Sequence, residues 1–210
     1  MVDIMTTLTN ENNKILTDLK DALEHGMLVS TLAYKLSKEL GNSEEFCYEM
    51  AVAGMLHDIG KLRLSKYLYG RMDDVLKVEE IKYVRMHSTF SYEILQEYDY
   101  SDTILKAIYH HHENYDGSGY PENLKSIDIP YGARILRTCD VFAALISDRP
   151  YRAAFDVDTA IELMIDEVKN FDMEIFLAFT RVVYYEDFKQ HADFDIHKWL
   201  QELQIEEIVR

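Results

Sequence analysis

The sequence predicts an all-α protein, and three observations carry that prediction. Apolar residues recur at helical spacing along most of the chain, as in Leu28, Leu32, Leu36 and Leu40 or from Ile135 to Leu145. No alternating strand pattern of useful length occurs, and there is no internal repeat. Only three prolines and eight glycines interrupt 210 residues, which argues against long disordered linkers.

Taken in order, an amphipathic segment follows Thr9-Asn10 with Ile15, Leu16 and Leu19, and a second helix ends at Gly41. Ser43 is the expected N-cap of the next helix, with Glu44 and Glu45 in its first turn and apolar residues from Phe46 to Leu56. Gly60 sits where that helix should end, placing His57 and Asp58 on its last turn. Neighbouring helical residues diverge by about 100°, so this pair can share a task only if their target lies between the two directions. Leu62 to Met72 reads as a loop or short helices. Glu79 to Tyr98 and Ser101 to His112 read as two more helices, the second capped by Ser101. Pro130 suits the first turn of a helix ending near Ser147. Asp158 to Lys169 and Asp172 to Phe188 complete the core, and Asp193 to Ile208 forms a tail helix. The expected organisation is a lead at 1–14, one helical domain at 15–185 and a C-terminal helical extension at 186–210.

The chemistry concentrates in two places. His110-His111-His112-Glu113 runs straight into Asn114-Tyr115-Asp116-Gly117-Ser118-Gly119-Tyr120-Pro121. Three consecutive imidazoles solve no packing problem, because each buried ring nitrogen needs a partner. Neutral imidazole is also the commonest transition-metal ligand. The glycines that follow would let backbone approach a bound molecule closely. The second place is His57-Asp58-Ile59-Gly60-Lys61, whose lysine could neutralise a phosphate oxygen. Asp140 lies inside an apolar run, where a carboxylate must be paired or bound to a metal. Together these point to a metal site beside a substrate loop.

Composition narrows the partners. A net charge of −16 disfavours polynucleotides and anionic membranes, whose binding needs clustered Lys and Arg. A small nucleotide remains admissible, since metal ions and local cations can offset its phosphates. The densest basic group is Arg134, Arg137, Arg149 and Arg152, flanking Asp140. Cys47 and Cys139 both fall in apolar helical runs and read as core thiols of a reducing cytoplasm. No secretory signal pattern opens the chain, and no apolar run approaches the ~20 residues that span a bilayer. The stretch ahead of His25 is too short for a sensor domain, so regulation is expected from a second copy, from a partner protein, or from metal and ligand supply.

The pairing of His57-Asp58-Ile59-Gly60-Lys61 with His111-His112-Glu113 and Asp116-Gly117-Ser118-Gly119-Tyr120-Pro121 resembles the HD-GYP branch of the HD phosphohydrolase superfamily. Asp140-Val141-Phe142-Ala143-Ala144-Leu145-Ile146-Ser147-Asp148-Arg149-Pro150-Tyr151-Arg152 is similar to that family's next block, and the likeness covers Asp21 to Phe176. The resemblance implies a metal-dependent phosphodiesterase that hydrolyses cyclic di-GMP to linear pGpG, with further cleavage to GMP left open. It implies His25, His57, Asp58 and Asp140 on one divalent metal, and Asp58, His87, His111 and His112 on a second, with Asp58 bridging. Iron or manganese suits such a mixed six-coordinate set better than zinc. An oxygen nucleophile shared by the two metals would attack phosphorus, with Asp58 and Lys61 at the catalytic centre. Lys61 and Arg152 would hold phosphate oxygens, and Tyr120 and Arg149 would contact the nucleotide.

The chain departs from the family pattern at two points. Ser88 replaces the usual Pro after His87, and Asp21 stands where trinuclear members carry Glu. A side chain one methylene shorter reaches less far, so two metals are expected rather than three, with Asp21 bonded to His25 or to a water at the metals. Glu113 is expected to orient a ligand histidine rather than to be merely solvated, and His110 to pack or to support the ligands rather than ligate. The alternatives are a hydrolase of another cyclic dinucleotide or of a nucleotide monophosphate, or a cyclic di-GMP receptor or scaffold that does not hydrolyse.

Overall fold

The computed structural model describes residues 2–64, 83–148 and 152–184, with side chains from residue 18 onward. Seven α-helices are present among them and no strand. They are α1 (Val2–Glu39), α2 (Glu44–Leu56), α3 (His87–Leu95), α4 (Asp102–Tyr109), α5 (Tyr131–Leu145), α6 (Val157–Asp166) and α7 (Met173–Tyr184). The all-α expectation holds.

The capping residues behave as their chemistry requires. Ser43 Oγ accepts from the Phe46 N–H at 3.2 Å, and Ser101 Oγ accepts from the Ile104 N–H at 3.3 Å. At the end of α1, Gly41 adopts φ +76°, and the Asn42 N–H reaches back to the Ser37 carbonyl at 3.1 Å. Only a residue without Cβ takes that left-handed turn cheaply, which is why the helix stops there.

Four boundaries differ from expectation. The two helices expected before Gly41 are one continuous helix, because Thr9 and Asn10 have modest helix propensity but break nothing. α2 ends at Leu56, so His57 is its C-cap and Asp58 lies beyond it, followed by a 3-10 segment at Ile59–Leu64. α3 starts at His87 after a turn at 85–86, which interrupts the single helix expected from Glu79 to Tyr98; residues 83–84 are helical, and 79–82 lie outside the described residues. Pro130 is the N-cap of α5 rather than part of its first turn. The last core helix is described to Tyr184; the expected tail helix from Asp193 to Ile208, His191 before it, the stretch 65–82 and Arg149 lie outside the described residues.

α1 and α2 pack backbone against backbone at Gly54, where a Cβ would stand 2.8 Å from the Ser30 Cα. The core then runs from Leu32 and Leu36 of α1 through Met50 of α2 and Ile108 of α4 to Ile135 and Phe142 of α5, with Phe179 of α7 edge-on to Phe142 at 5.1 Å. Each large side chain buried in this way contributes about 1.5–3 kcal/mol. Cys47 and Cys139 are buried free thiols, as the sequence predicts. Arg134 pairs with Asp172 and donates to the Ile129 carbonyl, tying α5 to the start of α7. No helix among the described residues is long and apolar enough to cross a membrane. Against this apolar packing, His25, His57, His87 and His111 are also buried. They converge from four elements.

Candidate metal centre

Three of these imidazoles are aimed by a backbone carbonyl three residues earlier in the chain. Nδ1 of His57 bonds the Gly54 carbonyl at 2.7 Å, Nδ1 of His87 the Val84 carbonyl at 2.6 Å, and Nδ1 of His111 the Ile108 carbonyl at 2.6 Å. A carbonyl oxygen can only accept, so all three Nδ1 atoms carry the proton and, in the neutral ring, leave an Nε2 lone pair facing inward. The same backbone contact is the one that fixes metal-ligating histidines in other proteins.

Nε2 of His87 lies 3.3 Å from Nε2 of His111 and 2.9 Å from Nε2 of His112. The carboxylates close the cluster. Asp140 Oδ1 is 3.0 Å from His25 Nε2 and 3.7 Å from His57 Nε2. The two oxygens of Asp58 face different neighbours: Oδ1 is 3.2 Å from His87 Nε2, while Oδ2 is 3.4 Å from His57 Nε2 and 4.0 Å from His25 Nε2. Lys61 Nζ also pairs with Asp58 Oδ2. Three overlapping ligand groups result, His25-His57-Asp58, His57-His111-Asp140 and His87-His111-His112, each with its ligand atoms within 4.8 Å of one another. All seven expected ligands therefore meet at one place.

The donor set fits divalent metal. His57 Nε2, Asp58 Oδ1 and His25 Nδ1 are buried with no hydrogen-bond partner. Leaving such atoms unpaired costs about 1–3 kcal/mol each. Cations facing His57 Nε2 and Asp58 Oδ1 would remove that cost, and mixed nitrogen and oxygen donors suit first-row divalent ions.

Electrostatics say the same. Burial disfavours a charged His57, yet Asp58 and Asp140 outweigh it and push this imidazole up to about 10. Burial, helped by His57 and His87, instead drives His111 down to about 3, and burial also lowers His87 and His112. Burial would raise Asp58 and Asp140, but the histidines, with Lys61 at Asp58, hold both well below the usual carboxylate range. Without metal the centre therefore keeps a proton on His57 near neutrality, and a metal must displace it. Metal affinity is expected to strengthen about tenfold per pH unit from about pH 6 to about pH 8. Calorimetric titration with Mn²⁺ checks this, and a pH-independent affinity would contradict it.

The loop after the histidines does something other than expected. Gly119 serves the loop's own backbone. A Cβ there would lie 2.2 Å from the Asn114 N and 2.5 Å from the His112 carbonyl, so the glycine lets the loop fold back on its own chain. That return stacks Tyr120 on His112, with ring centroids 4.7 Å apart. Glu113 neither orients a ligand histidine nor faces solvent. It is buried and accepts the N–H groups of Glu122 at 2.7 Å and Leu124 at 3.1 Å, anchoring the loop from behind. His110 packs edge-on to Tyr109, outside the cluster, as expected.

Asp21 is exposed on α1 and belongs to none of the ligand groups. It does not bond His25 Nδ1, which has no partner, though Asp21 makes an interaction of its own. Ser88 sits in the first turn of α3 and is buried. Both terminal nitrogens of Arg152 are occupied. They donate to the Leu145 and Ala144 carbonyls at 3.0 Å, closing the C-terminal end of α5, and the guanidinium lies 4.2 Å over Phe155.

Sequence reasoning missed two contacts that hold the centre. Ser91 Oγ accepts from the Gly60 N–H at 2.8 Å and donates to the His57 carbonyl at 2.7 Å, latching α3 to the His57-Asp58 turn. Nothing local distinguishes this serine, whose partners are about thirty residues away. Beside Asp58 an apolar groove of about 230 Å³ is lined by Leu19, Leu23, Gly26, Met55 and Ile59.

The HD domain family matches residues 5–175 of the chain. A cyclic di-GMP phosphodiesterase of Pseudomonas aeruginosa is 32% identical over 76% of this chain and 38% of its own length. A 3'3'-cGAMP-specific phosphodiesterase of Vibrio cholerae is 33% identical over 75% of this chain and 37% of its own. The chain thus spans less than half the length of these curated relatives. Among solved structures, an HDG"Y"P protein of Bdellovibrio bacteriovorus superposes with a TM-score of 0.64 at 20% identity, covering 78% of this chain and 53% of that one. The HD domain of an L. monocytogenes phosphodiesterase in complex with cyclic-di-AMP gives 0.56 at 18% identity, covering 81% and 92%. At these identities the solved structures speak for the fold.

Proposed function

The chain belongs to the HD domain family, in its HD-GYP branch, and from that premise we propose that it is a metal-dependent phosphodiesterase cleaving cyclic di-GMP. The observation that carries the reading is Asp58, whose two oxygens face two separate histidine groups, as a carboxylate shared by two cations must. In this reading His25, His57, Asp58 and Asp140 hold one divalent ion, and Asp58, His87, His111 and His112 hold the other. Two such ions, iron or manganese, would supply Lewis acidity toward a phosphoryl oxygen and a water acidic enough to act near neutral pH.

The chain's own residues do the rest. Lys61 pairs with Asp58 and is partly exposed, so its ammonium can turn to a phosphate oxygen once Asp58 is engaged. Burial pushes the Tyr120 phenol up, so Tyr120 keeps its proton and serves as a hydrogen-bond donor to the nucleotide rather than as a base. The apolar groove beside Asp58 suits the face of a nucleobase next to the cleaved phosphate. Arg152 acts by closing α5 below Asp140, and Arg149 remains assigned to the nucleotide. The catalytic unit is placed at 15–185, in the cytoplasm, under control by a second copy or a regulatory protein.

Turnover of a cyclic dinucleotide panel by anaerobically metal-loaded protein, with products separated by chromatography, tests the substrate. Cyclic di-GMP should give pGpG fastest. Faster cleavage of 3'3'-cGAMP or cyclic di-AMP would reassign the substrate, and tight binding without cleavage would make the protein a receptor. The metal count is tested separately at Asp21. Asp21→Ala is expected to keep two metals per chain, and anomalous scattering should show two peaks. A third full peak within coordination distance of Asp21 would contradict the dinuclear reading.

A further inference from the structure

The guanidinium of Arg137 is a cation beside the centre that this reading leaves without a task. It sits one turn before Asp140 on α5, so the two side chains leave the helix on one face. Its Nε donates to Asn114 Oδ1 at 3.0 Å, and Asn114 Nδ2 donates in turn to Ser118 Oγ at 3.0 Å, which fixes the guanidinium against the substrate loop. Other arginines of the fold are spoken for: Arg63 by Glu93, Arg134 by Asp172, Arg181 by Glu39 and Arg152 by carbonyls. Among the described residues no carboxylate lies within ion-pair distance of Arg137 or Arg85.

A half-buried guanidinium without a counter-charge is costly. Asp140 and Tyr120 are near enough to act on Arg137 electrostatically. Once Asp140 serves a metal, most of that compensation is spent. Arg85 brings a second guanidinium to the same side, 5.4 Å over the Tyr120 ring that stacks on His112. Lys61 instead contacts Asp58 through the oxygen facing His25 and His57. Cations therefore flank the centre at two separate places, and the planar fork of Arg matches a phosphate in a way a lone ammonium does not.

We propose that Arg137, with Arg85 beside it, binds the second phosphate of a cyclic dinucleotide while Lys61 serves the phosphate being cleaved. The inference rests on the phosphodiesterase reading and deepens it. It makes the two-phosphate ring, rather than a single phosphodiester, the group this site is built to hold. Asn114 is then a positioning residue.

Metal content, KM and kcat measured for wild type, Arg137→Met and Arg137→Lys test this, with cyclic di-GMP and with bis(p-nitrophenyl) phosphate, which has one phosphate. Arg137→Met should keep its metals and raise KM for cyclic di-GMP about tenfold or more, with a smaller change in kcat. Its effect on the one-phosphate substrate should be several-fold smaller, and Arg137→Lys should recover part of the loss. An unchanged KM for cyclic di-GMP, an equal effect on both substrates, or loss of metal in both variants would overturn the inference while leaving the phosphodiesterase standing. A metal-loaded wild type that cleaves neither substrate would overturn the phosphodiesterase reading and this inference with it.

Discussion

Asp58→Asn is expected to lose at least one metal ion per chain and to slow cyclic di-GMP hydrolysis about a thousandfold or more, a loss of about 4 kcal/mol of transition-state stabilisation. The geometry gives the reason. Asp58 Oδ1 faces His87 and Oδ2 faces His57 and His25, so one carboxylate answers two groups of lone pairs. An amide of the same shape presents one neutral oxygen and an NH₂, which cannot accept a cation. Lys61 loses its partner in the same substitution. Elemental analysis and a turnover assay on the variant check both halves. Full metal occupancy with wild-type turnover would show that Asp58 is not the bridge.

Gly60→Ala should act as strongly through the fold. A Cβ at Gly60 would lie 2.1 Å from the His87 carbonyl and 2.5 Å from the Ser91 N, both backbone atoms of α3. Backbone cannot swing aside as a flexible side chain can, so the 59–64 segment and α3 must separate. The expected cost is about 3 kcal/mol, at the high end of overpacking effects, and it falls between Asp58 and His87. Metal binding should weaken together with stability. A urea midpoint and metal content equal to wild type would contradict the close approach.

Gly60 also shows where local reading stops. Its place after an apolar run makes it look like a helix terminator, a role that needs positive φ. Among the described glycines positive φ occurs at Gly41 and Gly117, and Gly60 is small because α3 presses on it. Gly119 repeats the lesson, since its space is taken by the chain at 112–114. Helix capping is a contact over three or four residues and was legible in Ser43, Ser101 and Gly41. The convergence of His25, His57, His87, His111, His112, Asp58 and Asp140 was legible for another reason: buried imidazoles and carboxylates need partners, and their motifs resemble a known family.

The supporting contacts were not legible. Ser91 holds a turn thirty-one residues earlier, Glu113 takes N–H groups nine and eleven residues later, and Arg137 reaches Asn114 across twenty-three residues. No spacing rule connects such pairs, because the fold alone brings them together. Arg152 errs in the opposite direction. Its motif points to a phosphate, while its guanidinium here closes the end of α5.

Metal content and cyclic di-GMP turnover, measured on the same anaerobically purified sample, test the central claim most directly. The two-metal phosphodiesterase predicts about two divalent ions per chain, release of pGpG, loss of both on chelation, and recovery of turnover when Fe²⁺ or Mn²⁺ is returned. A chain that cleaves cyclic di-GMP equally well after its metals are removed, or one that holds two metals and cleaves no cyclic dinucleotide, would contradict it.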